Sequence, residues 1–176
     1  MTSTGASPGN EPDGRLVERD GVAEIRFERI YPHGIEEVWD AITDPTRIQK
    51  WWLPFDAEIE LDLTPGGKYE IRGTGSEPIS MIFEVVRVEP PRLFEHTTFD
   101  PGSTATWVLE KLGETCRLLL IQTAPTAQTA IERNYLVGLH TSLDRLSREL
   151  DGSTDNPWES SRFEEHRSRY HAQGLA

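Results

Sequence analysis

Two histidines, His96 and His140, fall on regular elements inside the body of the chain, the first on a strand and the second on a long helix. Turned into one cavity, they could act as acid and base near neutral pH, with Glu95 or Arg29 in support. Strand parity argues against part of that arrangement, because neighbours such as Glu95 and His96 point to opposite faces. His140 also stands beside the apolar stripe of its helix rather than within it. Neither histidine makes the His-x-x-x-His or cysteine-based spacing of a metal centre, so no metal and no cofactor is expected. The one cysteine, Cys116, lies in an apolar strand and is expected to be a small buried side chain. No serine occupies a nucleophile-elbow pattern, and Gly66-Gly67 and Gly73-x-Gly75 lack the strand-to-helix context of a phosphate loop. No catalytic constellation follows, and the chain leans away from being an enzyme.

The residues better suited to chemistry are aromatic, and the chemistry is binding. Pockets for small molecules are mostly hydrophobic, with a few polar groups that fix orientation. The expected lining is Trp52, Phe55, Tyr69, Met81, Phe83 and Trp107, completed from the helix by Tyr135, Leu139 and Leu143. Arg29, His96 and His140 are the candidate polar members. For each of these residues the competing reading is plain core packing, which is the reading preferred for Trp39. Trp51 and Trp52 are adjacent and cannot face the same way on a helix, so one enters the core and the other lies at an edge or opening.

The elements that must position these groups follow from periodicity. The apolar residues Ile131, Tyr135, Leu139, Leu143, Leu146 and Leu150 recur at steps of three and four, which predicts one long amphipathic helix over residues 126–150. Ile25, Phe27 and Tyr31 alternate with Glu24, Arg26 and Glu28 as in a half-buried strand. Arg29 breaks that alternation, and must either reach the rim or pair with a carboxylate. Ile35, Val38, Trp39 and Ile42 take helical spacing up to Asp44-Pro45, which both stops that helix and starts a second short one. Residues 57–63, 69–71, 79–88, 93–99, 104–109 and 116–123 then read as six strands separated by turn residues. The order is a strand, two short helices, an antiparallel meander and one long helix. A strongly twisted sheet curls, and a helix laid across its concave face leaves space in the middle unless the side chains are large.

Composition sets the outer limits. The chain has 176 residues, which suits one domain with tails: a disordered leader over 1–14, a domain over 15–150 and a polar tail over 151–176. That tail carries Trp158, Phe163 and Tyr170, and reads as a short terminal helix, a partner-binding segment or an unstructured end. With 18 Lys+Arg against 30 Asp+Glu and a net charge of -12, the surface would repel phosphate backbones and anionic lipid, so neither nucleic acid nor membrane is expected as a partner. No apolar run approaches the ~18 residues of a membrane span, and the first residues lack a secretory pattern, which places the protein in the cytoplasm as an expectation.

Several residues in order also carry a resemblance. Val38-Trp39, Asp44-Pro45, Trp51-Trp52 with Pro54, Pro65-Gly66-Gly67, Val88-Glu89-Pro90-Pro91-Arg92-Leu93, and Gly138 with Leu143 and Leu146 resemble the family of proteins like the activator of the heat-shock protein 90 ATPase. The resemblance runs from about Ile25 to Leu150, and the family belongs to the START-like, birch-pollen-allergen-like superfamily (SRPBCC). It implies an α+β helix-grip fold, in which a curved antiparallel sheet wraps a long C-terminal helix over a deep, usually apolar cavity. Relatives often have Trp after the helical glycine, where this chain has Leu139, a swap that shrinks a large aromatic. The expected function is binding of a small, largely apolar or aromatic molecule. The alternatives are a chaperone-regulating or other protein-interaction module, with a protein partner or a homodimer, and a cyclase- or hydrolase-type enzyme of the same superfamily.

Overall fold

The computed structural model describes residues 13–76 and 79–176. The leader expected over 1–14 therefore lies outside the described residues, except for Asp13 and Gly14. Among the described residues eight strands form one antiparallel sheet: β1 (Arg15–Arg19), β2 (Val22–Tyr31), β3 (Ala57–Leu61), β4 (Lys68–Gly73), β5 (Ser80–Glu89), β6 (Leu93–Thr97), β7 (Thr104–Leu112) and β8 (Thr115–Ala124). Their spatial order is β1-β2-β8-β7-β6-β5-β4-β3, so the sheet is a meander that β1 and β2 join at the β8 edge. This curved sheet, with the helices packed on it, is the expected α+β helix-grip fold.

Alternation decides which face each strand buries. In β2 the residues Ala23, Ile25, Phe27, Arg29 and Tyr31 are buried, and in β8 every second residue from Cys116 to Ala124 is. Pairing of Phe27 with Leu120 and of Ile25 with Gln122 sets those two inner rows side by side. β5 has apolar residues on both faces because Phe83 and Val85 enter the core while Ile82 and Val86 stay exposed on the outside.

The short helices α1 (Ile35–Thr43) and α2 (Pro45–Ile48) follow β2 rather than the first strand, since Arg15–Arg19 forms a strand that alternation had not disclosed. Asp44 closes α1 and caps α2, its carboxylate accepting from Thr46 N at 2.8 Å and Arg47 N at 3.3 Å. The single helix expected over 126–150 is two: α3 (Ala127–Glu132) and α4 (Tyr135–Leu150). Asn134 separates them in the left-handed region, with φ 53, a conformation its short polar side chain tolerates. The tail contains α5 (Ser160–His171), which packs along α4.

Candidate functional site

A cavity of about 380 Å³ opens between the N-terminal half of α4, the turn after α2 and the start of the tail. Of the nine lining residues expected from the sequence, Trp52, Phe55, Met81, Tyr135 and Leu139 lie on its wall. Tyr69, Phe83, Trp107 and Leu143 lie behind it, all buried in the core. The two tryptophans divide: Trp51 is in the core and donates its Nε1–H to the Ala41 carbonyl at 2.9 Å, while half-buried Trp52 faces the cavity. Trp52 rests edge-on against both Trp51 and Trp107, with ring centroids 5.4 and 5.5 Å away, and its carbonyl accepts from Ser142 Oγ of α4. Trp107 thus supports the wall without forming it.

Three features of this wall escaped the sequence reading. Trp158 and Phe163 of the tail reach the cavity, so its cover comes from α4 and the tail together. Gln122 stands on the inner row of β8, where its neighbours Leu118, Leu120 and Ala124 are apolar, and it is only 5% exposed. Its side-chain amide lines the cavity and has no hydrogen-bond partner among the described residues. A polar residue at inner parity in an otherwise apolar row was the signal available for it. At the cavity edge, Asp100 accepts from Tyr135 Oη at 2.6 Å and pairs with Arg133 at 2.9 Å. Burial, then the bond to Asp100, raises the Tyr135 phenol above its ordinary value.

The candidate polar members all lie elsewhere. His96 is buried among Tyr69, Phe83 and Phe94. Its Nδ1 donates to the Thr97 carbonyl at 2.8 Å, which leaves Nε2 to accept from Trp107 Nε1 at 3.3 Å. Both nitrogens are engaged, and burial pushes its pKa down to about 4. Arg29 is neither at the rim nor on the cavity wall: it is 1% exposed on the inner face of β2, with its guanidinium 5.3 Å from the Phe27 ring centre and Nη1 donating to the Glu28 carbonyl.

His140 turns away from the cavity toward α5. It is fully buried, stacks on His166 with ring centroids 3.8 Å apart, and meets Tyr170 Oη through Nδ1 at 2.8 Å. Tyr170 Oη in turn accepts from the Gly14 amide at 2.8 Å. Asp144, one turn beyond His140, accepts from His166 Nε2 at 2.8 Å and lies 3.8 Å from His140 Nε2. Burial first, and then the neighbouring His166, hold the pKa of His140 down to about 3. Burial raises that of Asp144, but the His166 bond and the nearby positive groups bring it below its ordinary value. This group is assembled from two helices, so the residue spacing within either one does not disclose it.

A second, wider groove of about 1020 Å³ runs between α2, the start of β3 and the loop after α4. Its Arg47 pairs with Glu37 at 2.8 Å and with Glu149 at 3.0 Å, so these charges compensate one another. Along its wall Arg145 donates to the carbonyls of Lys50, Trp51, Leu53 and Asn156, tying the turn after α2 to the tail.

A curved antiparallel sheet gripping a long helix defines a helix-grip protein. Within that class the chain belongs to the family described as activator of Hsp90 ATPase homolog 1-like protein, whose model matches residues 32–151. Among solved structures it is similar to CalU16 from Micromonospora echinospora, with 25% identity over 91% of this chain and 93% of that one and a TM-score of 0.66. It is also similar to the protein encoded by gene BPP1335 from Bordetella parapertussis, with 24% identity, coverage of 97% and 94%, and a TM-score of 0.71. The conserved protein of unknown function EF2215 from Enterococcus faecalis shares the fold at 13% identity, with coverage of 93% and 92% and a TM-score of 0.70. Comparison with curated proteins gave no match. No helix among the described residues is long and apolar enough to cross a membrane.

Proposed function

We propose that the chain binds a small, largely apolar or aromatic molecule in the cavity beneath α4 and the tail. The observation that carries this reading is Gln122, a polar side chain in the otherwise apolar inner row of β8 that lines the cavity. Its amide both donates and accepts, so a ligand carbonyl, hydroxyl or amide entering the cavity would find a hydrogen-bond partner there. The ligand class is therefore an aromatic or alicyclic body carrying at least one hydrogen-bonding group, with Trp52, Phe55 and Leu139 against the body.

An acid–base role in this cavity has no support from the two histidines, since His96 has both nitrogens engaged and His140 faces another helix. The family description names activation of a chaperone ATPase, and a protein-interaction role is kept as the second reading, with the exposed Ile82 and Val86 of β5 as its available apolar face.

Thermal shift against a panel of aromatic acids, polyketide-like compounds and lipids tests the proposal, since a ligand at a hundred times its dissociation constant stabilises by about 2.7 kcal/mol. A compound found this way should bind at least tenfold more weakly to Leu139→Trp, which fills the space, and to Gln122→Leu, which removes the polar handle. Undiminished binding to both variants, or no stabilising compound in the panel, refutes the cavity as the site.

A further inference from the structure

The residues behind α4 form a second centre, independent of the cavity. His140 and Asp144 project from α4 one turn apart, and His166 meets them from α5, so that one ligand atom from each lies within 4.8 Å of the others. All three are buried. Two imidazoles and one carboxylate suit a borderline divalent transition ion such as zinc, and only poorly suit calcium or magnesium, which take oxygen ligands.

Two details go beyond mere proximity. His140 Nε2 has no hydrogen-bond partner among the described residues, although it is buried and the nearest carboxylate oxygen is 3.8 Å away. That gap is too long for a hydrogen bond, and an ion shared between the two atoms would satisfy both. The opposite nitrogen, Nδ1, is held at 2.8 Å by Tyr170 Oη, which is itself fixed by the Gly14 amide. An outer partner of this kind on the second ring nitrogen is what orients a ligating imidazole.

We infer that His140, Asp144 and His166 form a binding site for a divalent transition-metal ion, zinc by preference, that clamps α5 onto α4. With the Nδ1 proton directed at Tyr170, the lone pair of His140 Nε2 faces the carboxylate. The His166–Asp144 hydrogen bond gives way to metal bonds of about 2.0–2.2 Å. The nearly parallel imidazoles, 16° between planes, turn out of their stack so that their lone pairs converge. The proton on His166 Nε2 moves to Nδ1 through solvent as that imidazole changes tautomer, which frees the Nε2 lone pair for the ion. Arg162, whose Nε lies 3.4 Å from Asp144, is 30% exposed and swings out to solvent. Water completes the fourth position. Because α5 itself carries Phe163 to the cavity, the ion would also hold the cavity's cover in place.

The test uses the full chain stripped with a chelator and titrated with zinc sulfate by calorimetry at pH 7.5, alongside native mass spectrometry. The expected result is one ion per chain and a raised melting temperature. Asp144→Asn and His166→Gln should each weaken binding by at least ~100-fold, and Tyr170→Phe by about tenfold. Replacing the half-buried His33 and the exposed His171 by Gln should leave zinc binding unchanged. Circular dichroism reports whether each variant is folded. Cobalt(II) loaded into the unmodified protein gives a second readout that needs no variant, an intense visible spectrum of four-coordinate geometry. Absence of stoichiometric zinc binding overturns the inference, as does binding that survives in Asp144→Asn, binding abolished by the His33 and His171 changes, or a weak six-coordinate cobalt spectrum.

Discussion

Acidification should reveal His96 as a structural, uncharged imidazole. In the unfolded chain a histidine takes up a proton near its ordinary value of 6.5, whereas burial among Tyr69, Phe83 and Phe94 lowers that of the folded protein to about 4. Between those two values the unfolded state binds the extra proton and the folded state does not, so stability falls as the pH falls through that window. The contribution is complete above 6.5, declines below it and levels off near 4. The gap between 6.5 and about 4, at roughly 1.4 kcal/mol per pH unit, makes the loss about 3 kcal/mol. Urea unfolding from pH 7.5 to 4 should therefore show a steeper decline for the unmodified protein than for His96→Gln. The difference between the two curves isolates His96 from the other acid-sensitive groups. Imidazole resonances followed by NMR should show His96 neutral at pH 5.5. A His96 that titrates near 6.5 in the folded protein, or two parallel stability curves, would refute the burial argument and reopen an acid–base role for this residue.

Three further outcomes follow from particular contacts. A Cβ added at Gly138 meets nothing within 4 Å, so Gly138→Ala should stabilise α4 by about 0.5–1 kcal/mol by thermal melting. At Gly14 a Cβ would stand 2.3 Å from the Phe27 ring and 2.7 Å from Leu136, so Gly14→Ala should cost about 1–3 kcal/mol and loosen the Tyr170 contact, read as faster proteolysis of α5. Arg145→Met keeps much of the aliphatic stem but removes the donors to four carbonyls, and should cost about 3 kcal/mol in urea unfolding while increasing amide exchange around residues 50–53 and 156.

The frame of the fold was legible because it rests on local pattern. Alternation in β2 and β8 and the double use of Asp44-Pro45 are properties of a few neighbouring residues, and the structure follows them. The break at Asn134 was hidden because the apolar spacing runs on through both α3 and α4, and a left-handed residue leaves that spacing almost intact. β1 is short and only partly buried, so its alternation is faint. α5 buries just two side chains, His166 and Tyr170, each with a polar tip, and such a helix lacks an apolar stripe to read. The candidate cavity was legible only in part, since five of the nine expected lining residues meet it and the polar candidates lie elsewhere. Residues set by strand or helix parity were placed on the correct face, but which of them touch open space depends on neighbours distant in sequence, as Trp107 behind Trp52 shows.

Tyr170 and Gly14 meet across 156 residues of chain, and Arg169 joins Asp13 at 3.0 Å beside them. During synthesis the strands and α4 can assemble as they emerge, but α5 cannot seat until nearly the whole described chain has left the ribosome. The cavity therefore stays uncovered until Trp158 and Phe163 have emerged and α5 has seated. On the proposed binding role, a small molecule present at that time would enter without having to displace the cover.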